Sequence, residues 1–284
     1  RLTIRYANEI LRNYNLGKAK AIKRLTGGYT NINYKIATSK DGFLLRICKD
    51  KSLKELQYEL KVMDELKKIK FPAAYSIQRK DKKYVNRTKF GRIILYNFVE
   101  GEKPKLNEKT AKEIAKSVAR LNSLKNWKRL KKRNPINVRF CRSLIKKFNT
   151  SRNKYPEIFR YFKEETKFLS KPLKEELPQG LIHWDIFPDN TKFKDGKLVA
   201  LLDFEEACID NLLFDVGVAI NGFCFKRNKL DKKLLLVFLK EYNKIFKNLG
   251  FKKLFEKYPK TSRKFLEKYG QKDPIKIPKY MLMV

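Results

Sequence analysis

The chain has 284 residues, 42% of them hydrophobic and 13% aromatic, which is enough to bury one or two cores. Lys and Arg outnumber Asp and Glu by 68 to 30, a formal net charge of +38. These basic residues run through nearly every segment, so they read as a compositional preference for Lys, and any contact with nucleic acid is expected to be non-specific.

No run of about 18 apolar residues marks a membrane span. The N-terminus lacks the apolar core of a signal peptide, and the missing initiating Met points to residues before Arg1. Cys48, Cys141, Cys208 and Cys224 form no C-x-x-C pair, and His183 is the single histidine. A structural zinc site is therefore unexpected, and four buried thiols in a reducing cytoplasm are the default.

Residues 3–14 alternate charged and apolar positions and predict an amphipathic helix. Lys20–Leu25, Ile32–Thr38 and Phe43–Cys48 predict three antiparallel strands joined by tight turns. Between the first two lies Thr26-Gly27-Gly28-Tyr29-Thr30-Asn31. Its glycines allow close backbone approach to phosphates, with Thr30 or Asn31 as donors; a Gly-Gly pair by itself is more often only a turn. Arg46 is the one charge in FLLRIC. It faces away from Leu45 and Ile47 on a strand, and is a candidate fixed cation.

Ser52 predicts the N-cap of a helix running to about Lys68, with Leu53, Leu56, Leu60, Met63 and Leu66 at helical spacing. Glu55 and Glu59 on that helix can pair with Arg46, and Glu59 is the choice. Strands are expected around Tyr75–Gln78 with Tyr84-Val85, and over Arg92–Phe98. Backbone groups of Tyr96, Asn97, Phe98 and Val99 then lead into a flexible connection and are candidates to meet an adenine ring. Helices are expected at Asn107–Leu124, Phe140–Asn149, Pro156–Leu169, Asn211–Phe225 and Leu230–Leu249. Lys125–Arg133 reads as a solvated loop, and the stretch after Phe251 as weakly apolar helix. Strands thus gather before residue 100 and helices after it, an α+β pattern of two lobes, 1–99 and 100–284.

One stretch carries the chemistry, Gly180 to Ala207. An apolar step, Leu181-Ile182, leads into a polar loop from His183 to Asn190. Two short strands follow, Thr191–Phe193 and Leu198–Leu202, joined by Lys194-Asp195-Gly196-Lys197 and ending on Asp203-Phe204. Asp-Gly between apolar runs is a hairpin signal, which puts Asn190 and Asp203 at one end. The order H-x-D-x-x-x-x-N, then D-F, is the catalytic loop and metal-binding turn of kinases. Asp185 would accept the proton of an attacking hydroxyl; Asn190 and Asp203 would hold Mg2+ against the phosphates of ATP. The bland alternative, a polar turn between core strands, leaves three polar side chains on one edge without a role.

The chain resembles the choline kinase and aminoglycoside phosphotransferase superfamily and, within it, the homoserine kinase family. The resemblance rests on Gly180-Leu-Ile-His-Trp-Asp-Ile-Phe-Pro-Asp-Asn190, on Asp203-Phe-Glu-Glu-Ala-Cys-Ile-Asp210, on Phe214 to Phe225 with Asp215, Asn221 and Cys224, and on Asn31-Ile-Asn-Tyr34. It spans roughly Lys20 to Asn243; Trp184 stands where a small residue is usual. It implies a bilobal protein-kinase-like fold, with an N-terminal antiparallel sheet and one helix before a mainly helical lobe. It implies ATP and Mg2+, with the hydroxyl of homoserine as acceptor and threonine biosynthesis as the setting. By the same resemblance Arg142 would meet the substrate carboxylate, Asp210 and Asn221 would make ammonium and polar contacts, and Asp215 would support the catalytic loop. His183 is expected to brace that loop. A kinase for another amino alcohol or an aminoglycoside, and an RNA-binding protein on a kinase-like scaffold, are the alternatives. The oligomeric state stays open.

Overall fold

Arg46 faces where it does because of the two-residue period of the strand that carries it. In the computed structural model, which describes residues 2–26, 31–149, 154–170, 178–227 and 229–246, that strand is β3 (Gly42–Cys48). It is the centre of a five-stranded antiparallel sheet with β1 (Ala19–Arg24), β2 (Ile32–Thr38), β4 (Asn86–Thr88) and β5 (Gly91–Asn97), in the order β1-β2-β3-β5-β4. Leu45 and Ile47 join Ile36, Ile93 and Leu95 in a core covered by α1 (Ile4–Leu11) through Ala7, Ile10 and Leu11. The alternate residues, Cys48 with Ile94 and Tyr96 of β5, face the other way and pack with Leu56 and Leu60 of α2 (Leu53–Lys68). Arg46 shares that second face.

The start of α2 is fixed by a capping box. The Ser52 hydroxyl accepts from the Glu55 N–H, and the Glu55 carboxylate accepts from the Ser52 N–H at 2.7 Å. This uses up Glu55, one of the two acids that could have met Arg46.

The residues cluster in two compact units. The first is Arg1–Glu102 with Lys192–Asp195 and Val199–Glu205; the second is Lys103–Thr191, Gly196–Leu198 and Glu206–Val284. In the second, α3 (Glu108–Asn122) packs along α7 (Lys232–Ile245) and against α6 (Leu213–Phe223). Val118, Leu121, Phe223, Leu234 and Phe238 are buried in this unit. Asn107 and Asp231 cap α3 and α7 with their side-chain oxygens. Helices α4 (Val138–Phe148) and α5 (Pro156–Leu169) pack on each other. Strand β6 (Gln179–Ile182) pairs antiparallel with β9 (Cys208–Asn211). Strands β7 (Thr191–Lys194) and β8 (Lys197–Leu201) form the expected hairpin. Asp195 and Gly196 at its tip both have positive φ, 52° and 71°, as a tight Asp-Gly hairpin turn requires. A short pair, β10 (Phe225–Lys226) and β11 (Lys229–Leu230), precedes α7.

Four expectations need correction. The helix expected over Asn211–Phe225 begins at Leu213, because Cys208–Asn211 is a strand paired with β6 and the Asn211 side chain accepts from the Leu213 N–H. Lys125–Arg133 is not a solvated loop. It holds a 3-10 turn over Lys125–Arg129, a buried Leu130, and Lys132, whose carbonyl accepts from the Ile209 N–H at 2.7 Å. Around Tyr75–Gln78 the chain makes only an isolated bridge from Ser76 to Tyr96, and the strand itself is Asn86–Thr88. Cys141 is half-buried, whereas Cys48, Cys208 and Cys224 are buried; burial pushes those three thiols up to about 12. Among the described residues no helix is long and apolar enough to cross a membrane. The stretch after Phe251 lies outside the described residues, as does the Gly27–Gly28 loop.

Candidate active site

The loop after β6 is held by one carboxylate. Asp215, in the first turn of α6, is fully buried. Its Oδ2 accepts the His183 N–H and its Oδ1 the Trp184 N–H, both at 2.8 Å. Trp184 sits at φ +76°, a left-handed conformation that costs a bulky side chain roughly 1–2 kcal/mol. Two consecutive amides on one carboxylate over-determine that strained position. Burial pushes the Asp215 carboxyl up to about 7, against the lowering effect of the Trp184 and His183 amides and the Asn122 side chain.

His183 is buried and its Nδ1 accepts the Asp185 N–H at 3.1 Å. That bond places the proton of a neutral ring on Nε2 and leaves Nδ1 as a brace for the loop. Asn190 closes the loop from the other end. Its Nδ2 donates to the Asp185 carbonyl at 2.9 Å and to Asp185 Oδ2 at 2.7 Å. The Phe187 N–H donates to the same carbonyl at 3.0 Å. The Asp185 carboxylate is thus aimed by its neighbours while remaining half-buried.

In the first unit a second set of charges gathers around Arg46, which is 8% exposed. Its Nη1 lies 3.4 Å from Glu59 Oε1 and 3.5 Å from Asp203 Oδ1. The Tyr96 hydroxyl donates to the same Glu59 oxygen at 3.1 Å, and the guanidinium stands 5.1 Å from the Tyr96 ring. Burial raises the Glu59 carboxyl pKa, and Arg46 pulls it back down. The Arg46 Nε is buried with no hydrogen-bond partner among the described residues. Asp203 has φ +63°, a left-handed turn that an Asp tolerates better than most residues.

The remaining candidates fall elsewhere. Thr30 lies outside the described residues. The Asn31 Nδ2 is engaged, donating to Glu205 Oε2 at 3.0 Å. The Asn97 and Phe98 N–H groups donate to the Tyr75 and Gly42 carbonyls at 2.9 and 3.3 Å. Those two donors are therefore spent inside the unit, and the Tyr96 side chain turns to Glu59. Val99 is half-buried beyond the end of β5. Arg142 is exposed on α4 and lines a cavity of about 400 Å³ with Lys163, Lys167, Glu164 and Thr166 of α5. Asp210 is on β9, where its Oδ1 accepts the Asn211 N–H at 2.7 Å; Asn221 is half-buried on α6. Sequence reasoning missed Asn122 and Tyr242. The Tyr242 hydroxyl donates to Asn122 Oδ1 at 2.8 Å, behind Asp215. It also missed Lys51 and Glu205, whose side chains are 3.1 Å apart.

Residues 21–242 match the model of the phosphotransferase enzyme family. The chain belongs to that family. It is 30% identical to the homoserine kinase of Rhodopseudomonas palustris over 224 residues, 77% of this chain and 68% of that protein. It is 28% identical to the homoserine kinase of Rhizobium etli over 223 residues, 77% of this chain and 69% of that one. Among solved structures it is similar to an amicoumacin kinase in complex with AMP-PNP, Ca2+ and Ami, with TM-score 0.68, 13% identity, and coverage of 86% of this chain and 78% of that one. It is also similar to the spectinomycin phosphotransferase APH(9)-Ia in complex with ADP and spectinomycin, with TM-score 0.67, 13% identity, and 99% and 94% coverage. These place the α+β architecture in the protein-kinase-like phosphotransferase fold. The chain is an enzyme, an ATP-dependent phosphotransferase that acts on a hydroxyl group of a small molecule.

Proposed function

We propose that the acceptor is homoserine and the product O-phosphohomoserine, made in the cytoplasm as a step of threonine biosynthesis. The observation that carries this reading is the loop at Asp185, aimed by Asn190 and Asp215, in a chain whose similarity to homoserine kinases covers 77% of its length. Residues 1–99 would serve the nucleotide, and residues 100–284 the acceptor. Contact with nucleic acid is non-specific in this reading.

Asp185 would accept the proton of the homoserine hydroxyl as its oxygen attacks the γ-phosphorus. The bond from phosphorus to the bridging oxygen breaks, and ADP leaves. Arg46, whose buried Nε has no partner among the described residues, would bind phosphate oxygens. Glu59 and Tyr96 would keep that guanidinium in place. Among the described residues no three His, Cys, Asp or Glu side chains converge on a metal site of their own. Mg2+ seldom needs such a cage, since one or two side-chain oxygens plus substrate phosphates suffice. Amide and carboxylate oxygens are the kind of donor it takes. The Asn190 nitrogen is committed to Asp185, so Asn190 would offer its amide oxygen, and Asp203 would offer a carboxylate. When bound there, Mg2+ would neutralise charge on the transferring phosphoryl group.

Arg142 is the candidate for the homoserine carboxylate, with Asp210 and Asn221 for ammonium and polar contacts. A site that pairs these charges should reject analogues lacking one of them. ATP consumption is therefore to be measured with homoserine, homoserine methyl ester, choline, ethanolamine and an aminoglycoside. Homoserine should give the highest kcat/KM, and Arg142→Ala should erase most of its advantage over the ester. A better rate with choline or an aminoglycoside would refute homoserine as the acceptor.

A further inference from the structure

The turn at Asp203 is left-handed, and what holds it there is the residues just after it. Phe204 is buried and meets Phe71 edge-on, with ring centroids 6.2 Å apart. Glu205 is gripped twice. Lys51 Nζ lies 3.1 Å from Glu205 Oε2 and donates to the Glu205 carbonyl at 3.4 Å. Asn31 Nδ2 donates to the same carboxylate oxygen at 3.0 Å. The Lys51–Glu205 pair is well shielded, with side chains 18% and 15% exposed, so solvent screens it less than an ordinary surface pair. Lys51 is itself tied down, its carbonyl accepting from Arg92 Nη1 at 3.0 Å.

Lys51 immediately precedes Ser52, the N-cap of α2, and Glu59 sits on that helix. The contacts therefore close a circuit. Arg46 joins Glu59 to Asp203, and Lys51 joins the start of α2 to Glu205, two residues beyond Asp203. We propose that Glu205 is a positioning residue for Asp203. Through Lys51 and Asn31 it sets where the Asp203 carboxylate stands relative to α2 and Arg46. This rests on the reading of Asp203 as a Mg2+ ligand. Glu205 touches neither nucleotide nor metal in it, and acts only through the turn.

The test is equilibrium binding of a fluorescent ATP analogue in Mg2+ and in EDTA, with Tm measured alongside. Wild type is compared with Asp203→Ala, Glu205→Ala, Glu205→Gln and Lys51→Met. Glu205→Ala and Lys51→Met should weaken binding in Mg2+ by about tenfold, equivalent to one displaced charge-assisted contact, and leave binding in EDTA within about twofold. Glu205→Gln keeps an acceptor for Asn31 and Lys51 and should lose less than Glu205→Ala. If Glu205→Ala proves unfolded, Glu205→Gln and Lys51→Met decide between the outcomes. If Mg2+ strengthens binding to wild type but not to Asp203→Ala, the reading of Asp203 stands. Glu205 variants that then bind as wild type, or that lose equally in both media, overturn the positioning role alone. If Asp203→Ala keeps the full gain from Mg2+, the reading of Asp203 falls, and the role of Glu205 with it.

Discussion

The loop at Asp185 and the charge cluster around Arg46 are held by different forces. The loop rests on backbone amides and one amide side chain, at 2.7–3.1 Å. The cluster rests on side-chain ion pairs at 3.4 and 3.5 Å. A tight charge-assisted contact is about 2.7–2.9 Å, so the loop contacts lie at or near that range, while the cluster is looser. The difference fits the roles proposed for them. The group that takes a proton must be aimed before the reaction begins. The groups that meet phosphate and metal can tighten as those charges arrive. Substitutions in the loop should therefore act on turnover, and substitutions in the cluster on nucleotide binding.

The largest effect tests the first half of that contrast. Asp185→Asn keeps the carbonyl contacts and the side-chain oxygen that Asn190 reaches, but removes the proton acceptor. Turnover in a steady-state phosphorylation assay should fall by about a thousandfold with Tm unchanged. Activity near that of wild type would mean that Asp185 is not the acceptor. Next in size is Arg46→Lys, which replaces a planar guanidinium, whose Nη1 meets both Glu59 and Asp203, with a point charge. The KM for ATP should rise about tenfold and kcat change less, equivalent to one lost charged hydrogen bond. A larger effect on kcat than on KM would break the contrast.

Asp215→Asn probes the scaffold of the loop. An amide offers one oxygen where the carboxylate offers two, so one buried N–H of His183 or Trp184 is left facing another donor. The loss of stability should be about 1–3 kcal/mol by denaturant unfolding. The pH dependence follows from the raised carboxyl of Asp215. Its pKa is up at about 7 in the folded chain and near 4 in an unfolded one. Such a group contributes its stability fully below pH of about 4 and loses it as pH rises through about 7. The unfolding free energy of wild type should therefore decline across that window, and that of Asp215→Asn should be flatter. Parallel curves would show that folding does not shift the pKa of Asp215.

Local signals were legible in the sequence; contacts across long separations were not. The alternation in FLLRIC was enough to place Arg46 opposite Leu45 and Ile47, and the Asp-Gly turn was enough to draw the β7–β8 hairpin. Ser52 marked a helix start, yet its full capping box is what removes Glu55 and leaves Glu59 beside Arg46. Asn211 was read as the start of a helix, because the four residues Cys-Ile-Asp-Asn are too few to show a strand's alternation and their partner strand lies some 30 residues earlier. Asn122, Tyr242 and Asp215 form one buried network from three helices. No spacing rule relates positions so far apart, and a Tyr on a helix face reads equally well as plain core. The Lys51–Glu205 pair hid in the same way, since one more Lys in a chain of this composition carries no signal.

The smallest effect concerns how closely α6 approaches the loop. Gly222, on α6 below Asp215, is buried against it. A Cβ there would stand 3.0 Å from the Ile186 carbonyl oxygen and 3.3 Å from both Phe187 and Pro188. Two terms compete in Gly222→Ala. Replacing a helical Gly should gain about 0.5–1 kcal/mol in conformational entropy. Pushing backbone at 186 away should cost about 1–3 kcal/mol, because the obstacle is a carbonyl and a proline rather than the end of a flexible chain. The net should be a loss of about 1 kcal/mol, with a fall in kcat and little change in the KM for ATP, since the displaced segment directly follows Asp185. Gly222→Ser should behave alike and a shade worse. A more stable Gly222→Ala with full kcat would show that the loop yields freely, and that the fixed geometry credited to it is not what sets turnover.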